Sequence, residues 1–533
     1  MKGNSIRTDT TTPVLIVGGG VCGLSSALFL ARHGVSCLLV ERHPDLLVHP
    51  RARGLTPRTM EVYRQAGLEP AIQRDAYAGP GFKWVPVQAE TLNDQEYGVP
   101  DEPQEDDGSS ASPCAFGPID QDRLEILLRD EARGLGADVR YSTELTSLEQ
   151  GADGVTAVVT DRTSGEELTV RADYVIAADG GNSPIRERLG IAVDGPGTLF
   201  STITAIVEAD LNPALRGRSA SIAYLQRPQP FTVLMAHDDR GQRWVFGTGY
   251  DPRTQSPEDF SDDQVVEMVR AAAGLPDVPA RLRPQIPGTD LKLLAFPIRA
   301  HLAQRYRAGR VFLVGDAAHS WPPTGGLGAN TGVQDAHNLA WKLALVTGGA
   351  AGPVLLDTYE DERRPVGSLS MQQAMARFGA RMGPGDGSRM LPYGAVSMGY
   401  RYRSRAITDA SPDGSEPLLP VALTGQPGTR APHVQITRNG DRISTLDLYG
   451  RRFVLLAGPD GAEWVAAASG APVPVDAYRF GADLAAEGAA AHGLTSRGAV
   501  LVRPDGFVGW RTDKLPADPA RELARVLAEV LGR

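Results

Sequence analysis

Val14-Leu15-Ile16-Val17-Gly18-Gly19-Gly20-Val21-Cys22-Gly23 sets a short β-branched apolar run directly against a glycine triplet. The run reads as a buried parallel strand. Leu24, Leu28 and Ala31 then recur at helical spacing until His33-Gly34, where Gly34 suits a helix C-terminus. A second apolar strand, Val35 to Val40, ends at Glu41. Together these segments make a complete βαβ unit with glycines at three fingerprint positions. Gly18 permits the tight turn, Gly20 lets a pyrophosphate approach the backbone, and Gly23 allows close helix–strand packing. Val21 and Cys22 open the helix, whose N-terminus offers unpaired N–H groups and partial positive charge to phosphates. Cys22 reads as a small loop residue and not as a redox centre. Glu41 can accept hydrogen bonds from ribose hydroxyls, with Arg42 beside it, and its carboxylate would repel a 2′-phosphate. The tightly held nucleotide is therefore FAD or NAD.

A second grip lies nearly three hundred residues downstream. Arg310-Val311-Phe312-Leu313-Val314 reads as another buried strand, and Gly315-Asp316 ends it. An aspartate there can accept hydrogen bonds from flavin ribityl hydroxyls, which turns the choice toward FAD. The following Pro322-Pro323-Thr324-Gly325-Gly326-Leu327-Gly328-Ala329-Asn330 makes a stiff loop of close approach. Val333, Ala336, Ala340, Leu343 and Ala344 then define the apolar face of a helix. Its N-terminus near Gly328–Asn330 could point at the flavin pyrimidine and stabilise an anionic reduced ring. His319 reads as a turn or packing residue, Asp335 and Asn338 as residues that cap or brace the helix.

The stretches GGGVCG, AADGGNSPIR and GDAAHSWPPTGGLGAN, followed by DAHNLAWKLA and YEDERRPV, resemble the class A flavoprotein aromatic hydroxylases. The likeness runs over nearly the whole chain and is strongest to the branch that tailors aromatic polyketide antibiotics. It implies an α/β fold: a Rossmann-like FAD-binding domain of glutathione-reductase type, an inserted antiparallel-sheet substrate domain and a C-terminal thioredoxin-like domain. It also implies roles residue by residue. Arg51 would lie beside the FAD pyrophosphate and the nicotinamide route, and Gln121 would touch the ribityl chain. Asp179-Gly180 would serve FAD and NADPH together, while Pro323 and Gly328, Ala329 and Asn330 would flank the flavin ring. Arg51 and Pro323 are the residues nearest to chemistry on this reading. The spelling GGLGAN departs from the usual GQGMN or GKGLN, at positions where backbone donors matter more than side chains.

The remaining sequence fits this scheme. With 533 residues the chain exceeds the roughly 250–300 at which a single core stops growing, so several domains are expected. We read 1–190 and 301–410 as two parts of the flavin domain, 191–300 as the substrate sheet and 425–533 as the C-terminal domain. Thr202–Val207, Ser221–Leu225, Phe231–Ala236 and Arg243–Thr248 are the expected strands of that sheet. Phe231, Met235, Trp244, Phe246 and Tyr250 suit either a flat aromatic ligand or a plain sheet core, because no register is visible. Asp101–Asp107, with five acids in seven residues, reads as a surface loop and not a metal site.

A net charge of −10 argues against a nucleic-acid partner. No apolar run approaches the roughly 18 residues of a membrane span, and the polar start lacks a signal peptide's apolar region. Three cysteines, Cys22, Cys37 and Cys114, give neither a disulfide framework nor a metal spacing, which fits a reducing cytoplasm. None lies in the C-terminal domain, which excludes disulfide exchange there and leaves it a structural or dimerising role.

Only one dinucleotide fingerprint is present, which suits NADPH or NADH visiting briefly to reduce a resident flavin. The resemblance implies that reduced flavin then meets O2, and that the resulting flavin hydroperoxide hydroxylates an electron-rich, polycyclic aromatic substrate. Oxygen insertion beside a ketone, or a flavin dehydrogenase or oxidase, uses the same scaffold. A non-catalytic binding protein is disfavoured by the intact Gly18, Gly20, Gly23, Glu41 and Asp316.

Overall fold

The computed structural model describes residues 10–46, 52–79, 84–97, 111–238, 240–286, 288–382, 387–408, 416–438 and 440–533. Arg51 and the acidic run Asp101–Asp107 lie outside them.

The expected βαβ unit forms from strand Thr10–Val17, helix Val21–Arg32 and strand Cys37–Val40. The two strands pair in parallel, Val14 opposite Cys37 and Val17 opposite Val40. Val14–Val17 and Cys37–Val40 are buried on both faces, as their unbroken apolar runs require. The sheet continues through Glu167–Ala177 to Val311–Leu313 on one side and to Asp138–Arg140 on the other, all in parallel. Thr10–Val17 sits centrally, so the loop leaving its C-terminal end opens where ligands bind doubly wound sheets. Leu168–Val170 and Tyr174–Ala177 lie in one strand, Glu167–Ala177.

The second sheet has eight strands. Its centre is the 17-residue strand Val193–Ala209, antiparallel to both Arg243–Tyr250 and Leu293–Ala303. Its far edge is supplied from upstream: Pro86–Ala89 pairs in parallel with Ile222–Leu225. Register now separates the two faces, which alternate with period two. Ile203, Ala205, Val207, Leu234, Trp244 and Phe246 pack against Val265, Val269, Ala272 and Ala273 of helix Asp262–Ala273. Tyr250 joins this side, edge-on to Phe260 at 5.8 Å. Trp244, Phe246 and Tyr250 are therefore core and not ligand wall. Thr204, Val233 and Gly247 lie in register on the opposite face, as do Ile206, Met235 and Val245.

The C-terminal sheet runs Val475–Arg479, Phe453–Ala457, Ala499–Val502, Val508–Thr512, with only the first pair parallel. Helix Pro519–Val530 buries Leu523, Val526, Leu527 and Val530 against it, as its periodicity predicts. The parallel strand Val475–Arg479 was not legible from composition. These three larger sheets give an α/β body with a central parallel sheet, an inserted antiparallel sheet and a C-terminal mixed sheet. Among the described residues no helix is long and apolar enough to cross a membrane.

Fully buried ionic contacts join these bodies. On helix Thr358–Met382, Glu362 accepts from Lys342 Nζ at 2.8 Å and from Arg503 Nη1 at 2.6 Å, and all three side chains are fully buried. One position on, Arg363 Nε donates to Asp335 Oδ1 at 2.7 Å. Burial opposes ionisation of both acids, but Arg503 and Lys342 beside Glu362, and Arg363 and His319 beside Asp335, outweigh it and hold both below their ordinary values. Such depressed groups stabilise the fold fully above about pH 4–5, and the contribution is lost as pH falls through their lower folded values. The thermal midpoint should therefore drop steeply below about pH 4, and Glu362→Gln should flatten that drop while lowering the midpoint at neutral pH. Thermal melts from pH 7 to 3 check this; an identical acid slope in the variant would contradict it.

Candidate functional site

Steric necessity explains two of the fingerprint glycines. Gly18 has φ +109°, and a Cβ there would lie 2.2 Å from the Ala178 carbonyl oxygen. A Cβ on Gly23 would lie 1.9 Å from the Gly18 carbonyl oxygen. Gly20 differs: a Cβ would find only Glu125 Oε1, at 3.8 Å, so the space above it is open. Gly20 is also the N-cap of helix Val21–Arg32, and no side chain caps that end. An open concavity over uncapped helical N–H groups fits a pyrophosphate.

Glu41 stands beside this loop. Its Oε2 accepts from Gly19 N–H at 2.5 Å and its Oε1 from His43 N–H at 2.9 Å. These bonds pin the carboxylate at the mouth of the loop while Arg42 stays exposed. Gln121, the first residue of helix Gln121–Gly134, clamps the segment that follows Arg51. Its Oε1 accepts from Ala52 N–H at 3.2 Å, its own N–H donates to Ala52 O at 3.0 Å, and its Nε2 donates to Glu125 at 2.7 Å. Asp179 is likewise engaged internally, accepting from Ser183 Oγ at 2.6 Å and from Ile185 N–H at 3.1 Å. Burial raises its pKa. Gly180, with φ +86°, turns the chain away beyond it.

The distant grip meets the first directly. Gly315, φ +62°, ends strand Val311–Leu313, and Asp316 is exposed between buried neighbours. A Cβ on Gly315 would come within 2.4 Å of Cys22 Sγ, and one on Gly332 within 2.5 Å. Cys22 is thus wedged between the Asp316 turn and helix Leu327–Thr347. Burial, with Asp316 and Asp335 nearby, pushes its thiol pKa well above the ordinary value, which disfavours a thiolate. At the start of the long helix, Gly326 is an N-cap in the left-handed region and no side chain caps it. Gly328 and Ala329 are half-exposed, and Pro323 is exposed just upstream. Asn330 turns inward instead. Its Oδ1 accepts from Thr56 N–H at 2.9 Å and its Nδ2 donates to Gly54 O at 3.2 Å and Gly326 O at 2.8 Å. Asn330 therefore ties this helix to the segment after Arg51.

Several contacts of the site were not legible in the sequence. His319, expected to be a packing residue, is fully buried, stacks on Trp321 at 4.6 Å and donates from Nε2 to Asp335 Oδ2 at 2.8 Å. That same oxygen accepts from Gly315 N–H at 3.3 Å, so Asp335 braces the Asp316 turn and does not cap a helix. Buried Arg53 donates from Nε to Asp120 at 2.6 Å and lies 4.3 Å over the Tyr77 ring. On the inner face of the second sheet, Phe231 adopts φ +65° and stacks on Phe200 at 4.7 Å and on Phe378 at 5.8 Å. Nearby, Arg381 Nη1 donates to Tyr224 OH at 3.3 Å, and Gln88 Nε2 donates to Arg381 O at 2.6 Å. An apolar aromatic wall with one buried polar pair thus borders this side.

Residues 11–374 match the family model described as FAD binding domain, and residues 424–533 that described as aromatic-ring hydroxylase, C-terminal. The tetracenomycin A2 monooxygenase-dioxygenase of Streptomyces glaucescens is 44% identical over 98% of this chain and 97% of its own length. The aklavinone 12-hydroxylase of Streptomyces purpurascens is 40% identical over 98% of this chain and all of its own. Among solved structures, a ternary complex of aklavinone-11 hydroxylase with FAD and aklavinone superposes with TM-score 0.90 and 38% identity, covering 99% of this chain and 100% of that one.

The different surroundings of the glycines predict different phenotypes. Gly20→Ala should leave the thermal midpoint nearly unchanged but weaken dinucleotide binding by about tenfold or more. Gly23→Ala should prevent stable folding, because the added methyl meets backbone. Thermal melts with ligand titration of both variants check this; equal effects would contradict the steric assignment.

Proposed function

Because this chain belongs to the FAD-binding aromatic-ring hydroxylases, we propose that it hydroxylates a polycyclic aromatic, polyketide-type substrate with electrons from NADPH or NADH and one oxygen atom of O2. The observation that carries this reading is one cleft with two grips. The open Gly20 cradle and the exposed Asp316 turn meet at Cys22, and the second sheet separately carries a face with stacked phenylalanines.

We assign the site residues accordingly. Gly18, Gly20 and Gly23, with Val21 and Cys22 at the helix start, hold the FAD pyrophosphate against the N-terminus of Val21–Arg32. Glu41 accepts from the adenosine ribose, with Arg42 at the rim. Asp316 accepts from the ribityl chain. Pro323, Gly328 and Ala329 border the flavin ring, where the positive end of the long helix stabilises negative charge. Gln121 and Asn330 act through the backbone they clamp, and Asp179-Gly180 through the turn they shape. Arg51 is assigned to the pyrophosphate and the nicotinamide route on its sequence motif. Domain boundaries at 1–190, 191–300, 301–410 and 425–533 are part of the same proposal.

Bound FAD, once reduced, supplies the electrons that activate O2. The chain contributes positioning and exclusion of water. Phe200, Phe231 and Phe378 present stacked, half-buried rings to a planar ligand. The Arg381 guanidinium places positive charge where a phenolic oxygen of the substrate would be favoured in its ionised, more electron-rich form.

Two results test the reading. Asp316→Ala should raise the dissociation constant for FAD by about tenfold or more while the fold persists, measured by flavin fluorescence. The loaded enzyme should oxidise NADPH or NADH faster in the presence of tetracyclic phenols, and mass spectrometry should find one added oxygen atom. A colourless protein that takes up no FAD, or products without added oxygen, would contradict it.

A further inference from the structure

The C-terminal unit holds none of the three cysteines, yet its Arg503–Asp505 turn enters the flavin body. Arg503 forks onto Glu362, Nη1 to Oε1 at 2.6 Å and Nη2 to Oε2 at 2.8 Å, and its Nε donates to Asp505 Oδ1 at 3.1 Å. Glu362 also accepts from Lys342 Nζ at 2.8 Å, Asn338 Nδ2 at 2.7 Å and Ser404 Oγ at 2.7 Å. The next residue on the helix reaches the other way. Arg363 donates to Asp335 Oδ1 at 2.7 Å and to Thr331 O at 3.1 Å, and Asp335 Oδ2 receives Gly315 N–H and His319 Nε2. Tyr402 joins the two arms. Its hydroxyl accepts from Arg363 Nη1 at 3.0 Å, its ring lies 5.5 Å below the Arg503 guanidinium, and Phe507 stacks on it at 4.0 Å.

Every charged member of this chain of contacts is at most 1% exposed. Ion pairs withdrawn from water recover their desolvation cost only with near-ideal geometry, and apolar residues of like size would often be as stable. Such pairs do fix relative geometry, because each misplacement leaves a charge unsatisfied. Here the geometry fixed at one end is the turn that presents Asp316.

We propose that the thioredoxin-like unit serves as a positioning element for the flavin site, its Arg503–Asp505 turn setting the Gly315–Asp316 turn through Glu362, Arg363, Tyr402 and Asp335. This rests on the assignment of Asp316 to FAD. Docking of the C-terminal unit and binding of FAD are then thermodynamically coupled, and the coupling is reciprocal.

A double-mutant cycle on the full-length apo-protein tests it, with the FAD dissociation constant read by flavin fluorescence. Arg503→Met and Asp335→Asn should each weaken FAD binding by about tenfold, and the double variant should bind little worse than Asp335→Asn alone. Tyr402→Phe, which removes only a hydroxyl, should weaken binding by several-fold and replaces Arg503→Met in the cycle if that variant does not fold. Val526→Ala, in the C-terminal core but outside the contacts, should lower the thermal midpoint without moving the dissociation constant. FAD should also slow amide exchange in Ala499–Val502 and Val508–Thr512. The coupling is refuted if folded Tyr402→Phe and Arg503→Met bind FAD within about twofold of wild type, or if the losses in the cycle simply multiply. It is equally refuted if Val526→Ala weakens binding as much as they do. Wild-type protein that binds no FAD would instead overturn the proposed function itself.

Discussion

Two helices that begin three hundred residues apart are pressed together around one small side chain, that of Cys22, where the facing turn and helix tolerate none. Cys22 Sγ occupies the space that a methyl on Gly315 or Gly332 would need, and a Cβ on Gly332 would lie 2.9 Å from Gly315 Cα. This contact fixes the distance between the uncapped end of Val21–Arg32 and the turn bearing Asp316. A long ligand that must be held at two points requires such a fixed span, since a variable one would cost conformational entropy on every binding event. The glycines are therefore spent on separate demands: Gly18 and Gly23 on backbone contact, Gly315 and Gly332 on room for the Cys22 side chain, Gly20 on ligand space.

From that junction the rest of the site is built by clamps. Asn330 holds the long helix to residues 54–56, and Gln121 holds residue 52 to the helix it begins. Asp335 collects Gly315, His319 and Arg363 on one carboxylate. These side chains shape the cleft by holding backbone, so their effect on chemistry is one of placement within fractions of an ångström. The second sheet then adds a wall whose outer face is sealed by Asp262–Ala273 and whose inner face carries the stacked phenylalanines.

Legibility in the sequence followed locality. The βαβ unit and the Gly315-Asp316 turn were readable because each packs its glycines, strand and helix signals into a few dozen adjacent residues. The same was true of Leu523, Val526, Leu527 and Val530, whose spacing alone marks a buried helical face. The face assignment of the second sheet was not readable, because side chains alternate strictly along each strand but both sides are covered, so polarity does not tell inner from outer. Trp244 and Met235 look equally suited to a ligand until Trp244 is seen against helix Asp262–Ala273. Pro86–Ala89 joins that sheet across more than one hundred residues, with no composition signal for its partner. The contacts that Gln121 and Asn330 make within the chain were not readable, since their partners at residues 52–56 are distant in sequence. Glu362 and Arg363 are neighbours in a charged segment whose composition carries no signal of burial, and only the fold reveals them as buried.

The account stands on a single FAD stretched between the Gly20 cradle and the Asp316 turn. Diffraction from crystals of the FAD-loaded protein tests this most directly. The pyrophosphate should lie over Gly20 at the start of Val21–Arg32, with a ribityl hydroxyl within hydrogen-bond distance of the Asp316 carboxylate. Flavin density elsewhere, or an Asp316 carboxylate turned away from it, would contradict the account.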